Sequence, residues 1–177
     1  MEELRDKKGL TEAEAIAAYR THNYPKPAMT ADIVIFRQRE TAVQLLLIRR
    51  GGHPFLGKWA TPGGFANENE PIETTARREL EEETGVRDLP LQLVDVFSAP
   101  GRDPRGWTVS VAFCAVVTEE LAVEAGDDAA DAACFTLHRD GDSFLLSAGD
   151  ITLRPEELAF DHGEILKKAL QCAKIQL

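Results

Sequence analysis

No stretch of the 177 residues approaches the roughly 20 consecutive apolar residues that a bilayer-spanning helix needs. Residues 1–8 also lack the apolar core of a signal peptide, so the expectation is a soluble, cytoplasmic protein without a membrane partner. Cysteine is scarce: Cys114, Cys134 and Cys172 are odd in number, widely spaced and free of any CxxC or Cys/His pairing. That argues against a disulfide framework and a cysteine-based zinc site, and predicts reduced thiols. Positive charge is short as well. Against 30 acidic residues stand 20 Lys and Arg, a formal net charge of -10, and a field of that sign repels nucleic acid and anionic membranes. A polyanionic substrate must therefore be met by local cations or bound metal.

An apolar content of 44% over this length fits one domain with a real core. Thr11 followed by Glu14 reads as a capping box for a short helix reaching about Arg20, after which Pro25 and Pro27 force an extended path. We therefore divide the chain into an N-terminal helical extension, 1–28, and a domain, 29–177. The extension's helix is expected to pack on that domain or on a partner subunit. Residues 33–36 and 43–48 are β-rich runs that read as a hairpin, and the glycines and prolines of 51–64 read as a shaped loop around Trp59. Pro71 opens and Gly85 closes a helix. Strands follow at 91–97, 109–117 and 133–137, then a terminal helix at 164–174. Strands on both sides of a central helix predict an α/β fold with a mixed sheet between helices.

At about 100° per residue, Ile72, Ala76 and Leu80 form the buried stripe of the central helix. Glu79, Glu82 and Glu83 fall in one arc beside that stripe, whereas Glu73, Arg77 and Glu81 point away and can make solvated i,i+4 pairs. Glu79 and Glu83 are a like-charged i,i+4 pair with Glu82 alongside, which the bare helix disfavours. A glutamate run is more often just a solvated face. A hard divalent cation prefers carboxylate oxygens, however, and Mg²⁺ fills its remaining positions with water and substrate phosphate, so the spacing predicts a metal-diphosphate site.

From Gly64 the sequence runs through Glu70, then seven residues, then Arg78-Glu79-Leu80-Glu81-Glu82-Glu83-Thr84-Gly85-Val86. This resembles the Nudix box, Gly-x5-Glu-x7-Arg-Glu-U-x-Glu-Glu-x-Gly-U with U aliphatic, at every specified position. Chance would produce such a match with a probability on the order of 10⁻⁷. The resemblance implies a Nudix-type α/β/α sandwich and a hydrolase that cleaves diphosphate links. It further implies that Glu79, Glu82 and Glu83 hold the metal, Mg²⁺ or Mn²⁺, with a backbone carbonyl near Gly63 as another ligand. Arg78 would position the carboxylates by pairing with Glu70.

A second segment, Ser98-Ala99-Pro100-Gly101-Arg102-Asp103-Pro104-Arg105-Gly106, resembles a loop of ADP-ribose pyrophosphatase-like Nudix proteins and of related transcriptional regulators. Arginines held by prolines suit bidentate contact with phosphate, so Arg102 and Arg105 are candidate substrate ligands, with Asp103 accepting from ribose or orienting either arginine. A structural turn with ion pairs would look the same. Arg49 and Arg50 end an apolar strand and either face the phosphates or form a solvated strand end. Trp59 reads as core, Phe36, Phe55 and Trp107 are weak stacking candidates, and His162 reads as a local hydrogen-bonding residue. Residues 125–132 read first as an acidic surface turn, with a loop acid at Asp127 or Asp128 as the alternative. The expected partner is a small-molecule nucleoside diphosphate derivative, ADP-ribose first, yielding AMP and ribose 5-phosphate. 8-oxo-dGTP, NADH and sugar nucleotides are the alternatives within the family. A ligand-sensing regulator is the alternative outside catalysis, and the acidic chain, which ends at the terminal helix, argues against it. Family habit and the N-terminal helix suggest a homodimer.

Overall fold

The computed structural model describes residues 4–121 and 129–176. In chain order come helix α1 (Glu12–Thr21), strands β1 (Ala28–Gln38), β2 (Val43–Arg50), β3 (Trp59–Ala60) and β4 (Gly63–Phe65), and helix α2 (Ile72–Thr84). Strands β5 (Gln92–Phe97), β6 (Thr108–Val117), β7 (Ala129–Asp140), β8 (Ser143–Ala148) and β9 (Ile151–Leu153) follow, then a 3-10 turn (Pro155–Glu157) and helix α3 (His162–Cys172). The sheet order is β5-β6-β1-β2-β7-β8-β9, with β3 on β2 and β4 on β1. It is mixed: β1 runs parallel to β6 and antiparallel to β2.

Continuous apolar runs in β1 and β2 follow from burial on both faces of the sheet. Successive side chains of a strand point to opposite sides. Val34, Phe36, Leu45 and Leu47 therefore pack with Ile165, Leu166 and Ala169 of α3 on one face. Ala31, Ile33, Ile35 and Leu46 pack with Ala76 and Leu80 of α2 on the other. This is the α/β/α sandwich.

Several elements depart from the sequence reading. The 51–64 stretch is not all loop, because Trp59–Ala60 and Gly63–Phe65 add short strands to β2 and β1. Strands β8 and β9, which the apolar pattern did not flag, extend the sheet beyond β7. Pro71 is the residue before α2 rather than its first helical position, and Gly85 closes the helix at φ 72 with its N–H donating to the Glu81 carbonyl at 2.8 Å. Helix α1 has the expected capping box, yet none of its residues is buried, so it does not pack into the domain. Asp127 and Asp128 lie outside the described residues.

Leu45 and Leu46 are neighbours on β2, exposed by 0% and 1%, and serve opposite cores. Leu45→Ala and Leu46→Ala should each destabilise the protein by about 2–5 kcal/mol in urea titrations. A near-neutral effect at either position would contradict a sheet covered on both sides.

Candidate functional site

Burial of Ala76 and Leu80 fixes the rotation of α2, and that rotation aims Glu79, Glu82 and Glu83 into a cavity of about 290 Å³. The cavity's opposite side comes from Asp32 on β1, Arg50 at the end of β2, and Gly63 and Gly64 at the start of β4. Glu83 is buried, and its Oε2 accepts from the Gly63 N–H at 2.8 Å. Burial pushes its carboxyl up to about 8; the Gly63 hydrogen bond opposes this, while the Glu79 charge reinforces it.

Arg78 ties the acids together. Its Nε and Nη2 donate to the two oxygens of Glu70, both at 3.0 Å, and Nη2 also donates to the Phe65 carbonyl at 3.0 Å. Its Nη1 donates to Glu79 at 2.7 Å and to Glu82 at 2.9 Å. Glu70 further accepts from the Thr75 hydroxyl and the Asn67 N–H. The bidentate Arg78 contact, helped by these two bonds, holds the Glu70 carboxyl down at about 2. The expected solvated pairs of the outer face take other partners: Arg77 donates to the Leu89 carbonyl, and Glu81 pairs with Arg87.

The donor set fits a hard divalent cation in kind and place: three carboxylates on one cavity wall, one of them desolvated beside another's charge. Among the described residues no three acidic or thiol and imidazole groups stand at coordinating spacing to one another. The Arg78 guanidinium bridges Glu79 and Glu82 in this conformation.

Behind the cavity lies a polar network that sequence reasoning missed. Asp32 sits in the middle of a buried strand, accepts from the Ser110 hydroxyl, and lies 3.7 Å from Arg102. Arg102 closes a two-bond fork on Asp161, at 2.9 and 2.7 Å. His162, buried and kept neutral by that burial, accepts from the Thr61 N–H through Nδ1 at 3.0 Å. Its proton therefore sits on Nε2, 3.5 Å from Asp32 Oδ1. His162 is thus not a local hydrogen bonder: it ties α3 to the turn that leads into β4, 101 residues away in sequence. The readable signal was Asp32 itself, a lone carboxylate inside the apolar run Ala31 to Phe36.

Of the four predicted substrate ligands, Arg102, Asp103 and Arg105 line the cavity and Arg49 does not. Strand alternation is the reason. Arg50 points inward, while Arg49 is exposed and donates to the Gly57 carbonyl at 3.1 Å. Arg102 stands in the wall as part of the buried ion network, its fork taken by Asp161. Asp103 orients Arg105, accepting from its backbone N–H, Nε and Nη2. Among the aromatics, Phe36 and Trp59 are core, Phe55 packs on Phe160, and Trp107 is exposed away from the cavity. Phe65 and Phe160 line it instead.

Gly63 and Gly64 allow the closest approaches. A Cβ on Gly63, at φ 155, would strike the backbone oxygen of Ala31, whereas one on Gly64 would overlap the Glu79 carboxylate. Gly63→Ala should therefore lower the unfolding temperature, and Gly64→Ala should keep the fold but weaken Mn²⁺ binding in calorimetric titration. Equal behaviour of the two variants in both measurements would contradict this geometry.

Residues 26–144 match the family model described as the NUDIX domain. An ADP-ribose pyrophosphatase of Methanocaldococcus jannaschii is 37% identical over 145 residues, 81% of this chain and 73% of that protein. The ADPR responsive transcriptional repressor NtrR of Acinetobacter baylyi is 30% identical over 161 residues, and the match spans 90% of this chain but only 59% of the repressor. The NUDIX domain of Shewanella oneidensis NrtR, solved in complex with ADP ribose, superimposes with a TM-score of 0.72 at 28% identity, covering 93% of this chain and 99% of that one. Nudix hydrolases generally use divalent metal ions. The chain belongs to the NUDIX domain family and is a Nudix pyrophosphohydrolase.

Proposed function

We propose that the protein hydrolyses ADP-ribose to AMP and ribose 5-phosphate, adding one water across the P–O–P bridge, with Mg²⁺ or Mn²⁺ as its ion. The observation that carries this reading is the sharing of one cavity by Glu79, Glu82 and Glu83 with Arg50 and Arg105. Carboxylates alone would repel a diphosphate, and arginines alone would leave no ligands for a cation. The likeness to an ADP-ribose pyrophosphatase supports the choice of substrate.

Glu79, Glu82 and Glu83 would hold the ion, with the Gly63 carbonyl as the further candidate. The bound ion supplies charge neutralisation at the attacked phosphorus and lowers the pKa of water. Arg78 and Glu70 keep the glutamates on their side of the cavity, and the Gly63 N–H fixes one oxygen of Glu83. Arg105, flattened by Asp103, presents a preset cation toward the ligand. The Asp32, Arg102, Asp161 and His162 network holds the back wall rigid, which favours a fixed substrate pose.

We extend the reading to the chain's setting. It acts in the cytoplasm, in keeping with three free cysteines and the absence of any helix, among the described residues, long and apolar enough to cross a membrane. It works as a homodimer, in which a second copy covers the exposed Leu93 and Val96 of edge strand β5 and the unburied face of α1. Sedimentation equilibrium should give twice the monomer mass at micromolar concentration; monomer mass alone would remove the dimer.

Glu83→Gln should lower turnover of ADP-ribose by at least about 10²-fold at saturating Mg²⁺, comparable with losing a major electrostatic stabiliser. Initial rates on ADP-ribose, NADH and 8-oxo-dGTP at equal concentration should rank ADP-ribose first. A tenfold preference for the triphosphate would overturn the substrate, and near-normal turnover by a folded Glu83→Gln protein would overturn the site.

A further inference from the structure

Four side chains from four separate segments stack along one wall of the cavity in alternating character. The Arg50 guanidinium carbon lies 5.0 Å from the Phe160 ring centre, and the Arg105 carbon lies 5.4 Å from Phe160 and 4.7 Å from Phe65. The order is therefore cation, ring, cation, ring. The negative faces of the rings attract each guanidinium, and Phe160 keeps the two like charges apart. Phe160 does this from the left-handed backbone region, at φ 52, which is unfavourable for a bulky residue. Its ring is wedged by the edge of Phe55, 4.7 Å away, and by the His162 ring at 5.3 Å. Phe160 is a spacer held in place from behind.

Phe65 is different. It ends the stack and remains 42% exposed while lining the cavity. Its position is nonetheless fixed. The β4 backbone pairs with β1 at Thr30, the Phe65 carbonyl accepts from Arg78 Nη2, and Arg105 is laid against the ring by the Asp103 fork. Phe65 also follows directly on Gly64, where an added Cβ would overlap the Glu79 carboxylate. A positioned aromatic ring thus stands one residue beyond Gly64, the glycine that lies against one of the carboxylates assigned to the metal ion. Such a surface suits the flat π-face of a base, because stacking needs no hydrogen-bond partner and carries no charge to be repelled by the acidic wall.

We propose that Phe65, backed by Arg105, is the stacking platform for the nucleobase of the substrate. This deepens the proposed function and rests on it. The platform selects substrates that carry a planar base on the far side of the diphosphate from the group released.

The test compares two substrates, ADP-ribose and ribose 5-diphosphate methyl ester, which keeps the diphosphate and ribose but has methyl in place of adenosine. In Phe65→Ala the ratio of kcat/KM for ADP-ribose to that for the methyl ester should fall roughly tenfold, the usual scale of losing one stacked base. Most of the fall should lie in the KM for ADP-ribose rather than in kcat, and Phe65→Tyr should restore the ratio. An unchanged ratio, with ADP-ribose and the methyl ester losing equally, would overturn the platform while leaving the hydrolase reading intact. Should the wild-type protein turn over neither compound, the hydrolase reading fails, and the platform is then judged by calorimetric titration with AMP. Weaker AMP binding by Phe65→Ala, restored in Phe65→Tyr, supports it; equal binding by the wild type and Phe65→Ala overturns it.

Discussion

Glu79, Glu82 and Glu83 crowd three carboxyl groups onto about one turn of α2, and the Arg78 guanidinium holds two of them, Glu79 and Glu82, in place. Arg78 uses its donors on Glu70, Glu79, Glu82 and the Phe65 carbonyl. Each of these bonds is charge-assisted at its donor, so together they outweigh the i,i+4 repulsion along the helix. The same bonds join the helix to the β4 strand, whose Gly63 N–H grips Glu83. Helix, strand and cavity wall are thereby one rigid unit, and substrate contacts on β4 inherit their position from it.

Burial decides the rest of the site's electrostatics. Glu83 pays for desolvation with a raised pKa, and Asp32, also buried, is surrounded by Ser110, Arg102 and His162. A net charge of -10 makes such local compensation necessary wherever a polyanion is to be bound. The arginines that serve it come from the end of β2 and from the 98–106 loop. Their orientation is set by Asp103 and by the rings of Phe65 and Phe160 rather than by solvent.

Legibility in the sequence followed the range of the interaction. Helix α2 was readable because a local signal, the apolar stripe of Ile72, Ala76 and Leu80, fixes its rotation and therefore the side on which the three glutamates lie. The β1–β2 hairpin, β5 and β6 were readable from apolar runs, and the covering of both sheet faces followed from those runs together with the two helices. β8 and β9 were not: Ser143–Ala148 is placed by its pairing with β7, and Ile151–Leu153 is three residues long and placed by its pairing with β8. The placement of Arg49 and Arg50 turned on the phase of one strand, which a one-residue shift inverts. Asp161, His162 and Thr61 act across more than fifty residues of chain, and no local pattern announces such contacts. Phe160 escaped notice because its value lies in a positive-φ backbone that brings the ring between two arginines.

The central claim is that the acidic edge of α2 holds divalent cation against a phosphoanhydride. Anomalous scattering from crystals soaked with Mn²⁺ and a nonhydrolysable ADP-ribose analogue tests it most directly. The account predicts manganese bound by Glu79, Glu82 and Glu83 with the analogue's diphosphate against it. Manganese bound elsewhere, with those three carboxylates still turned to Arg78 and Gly63, would contradict it.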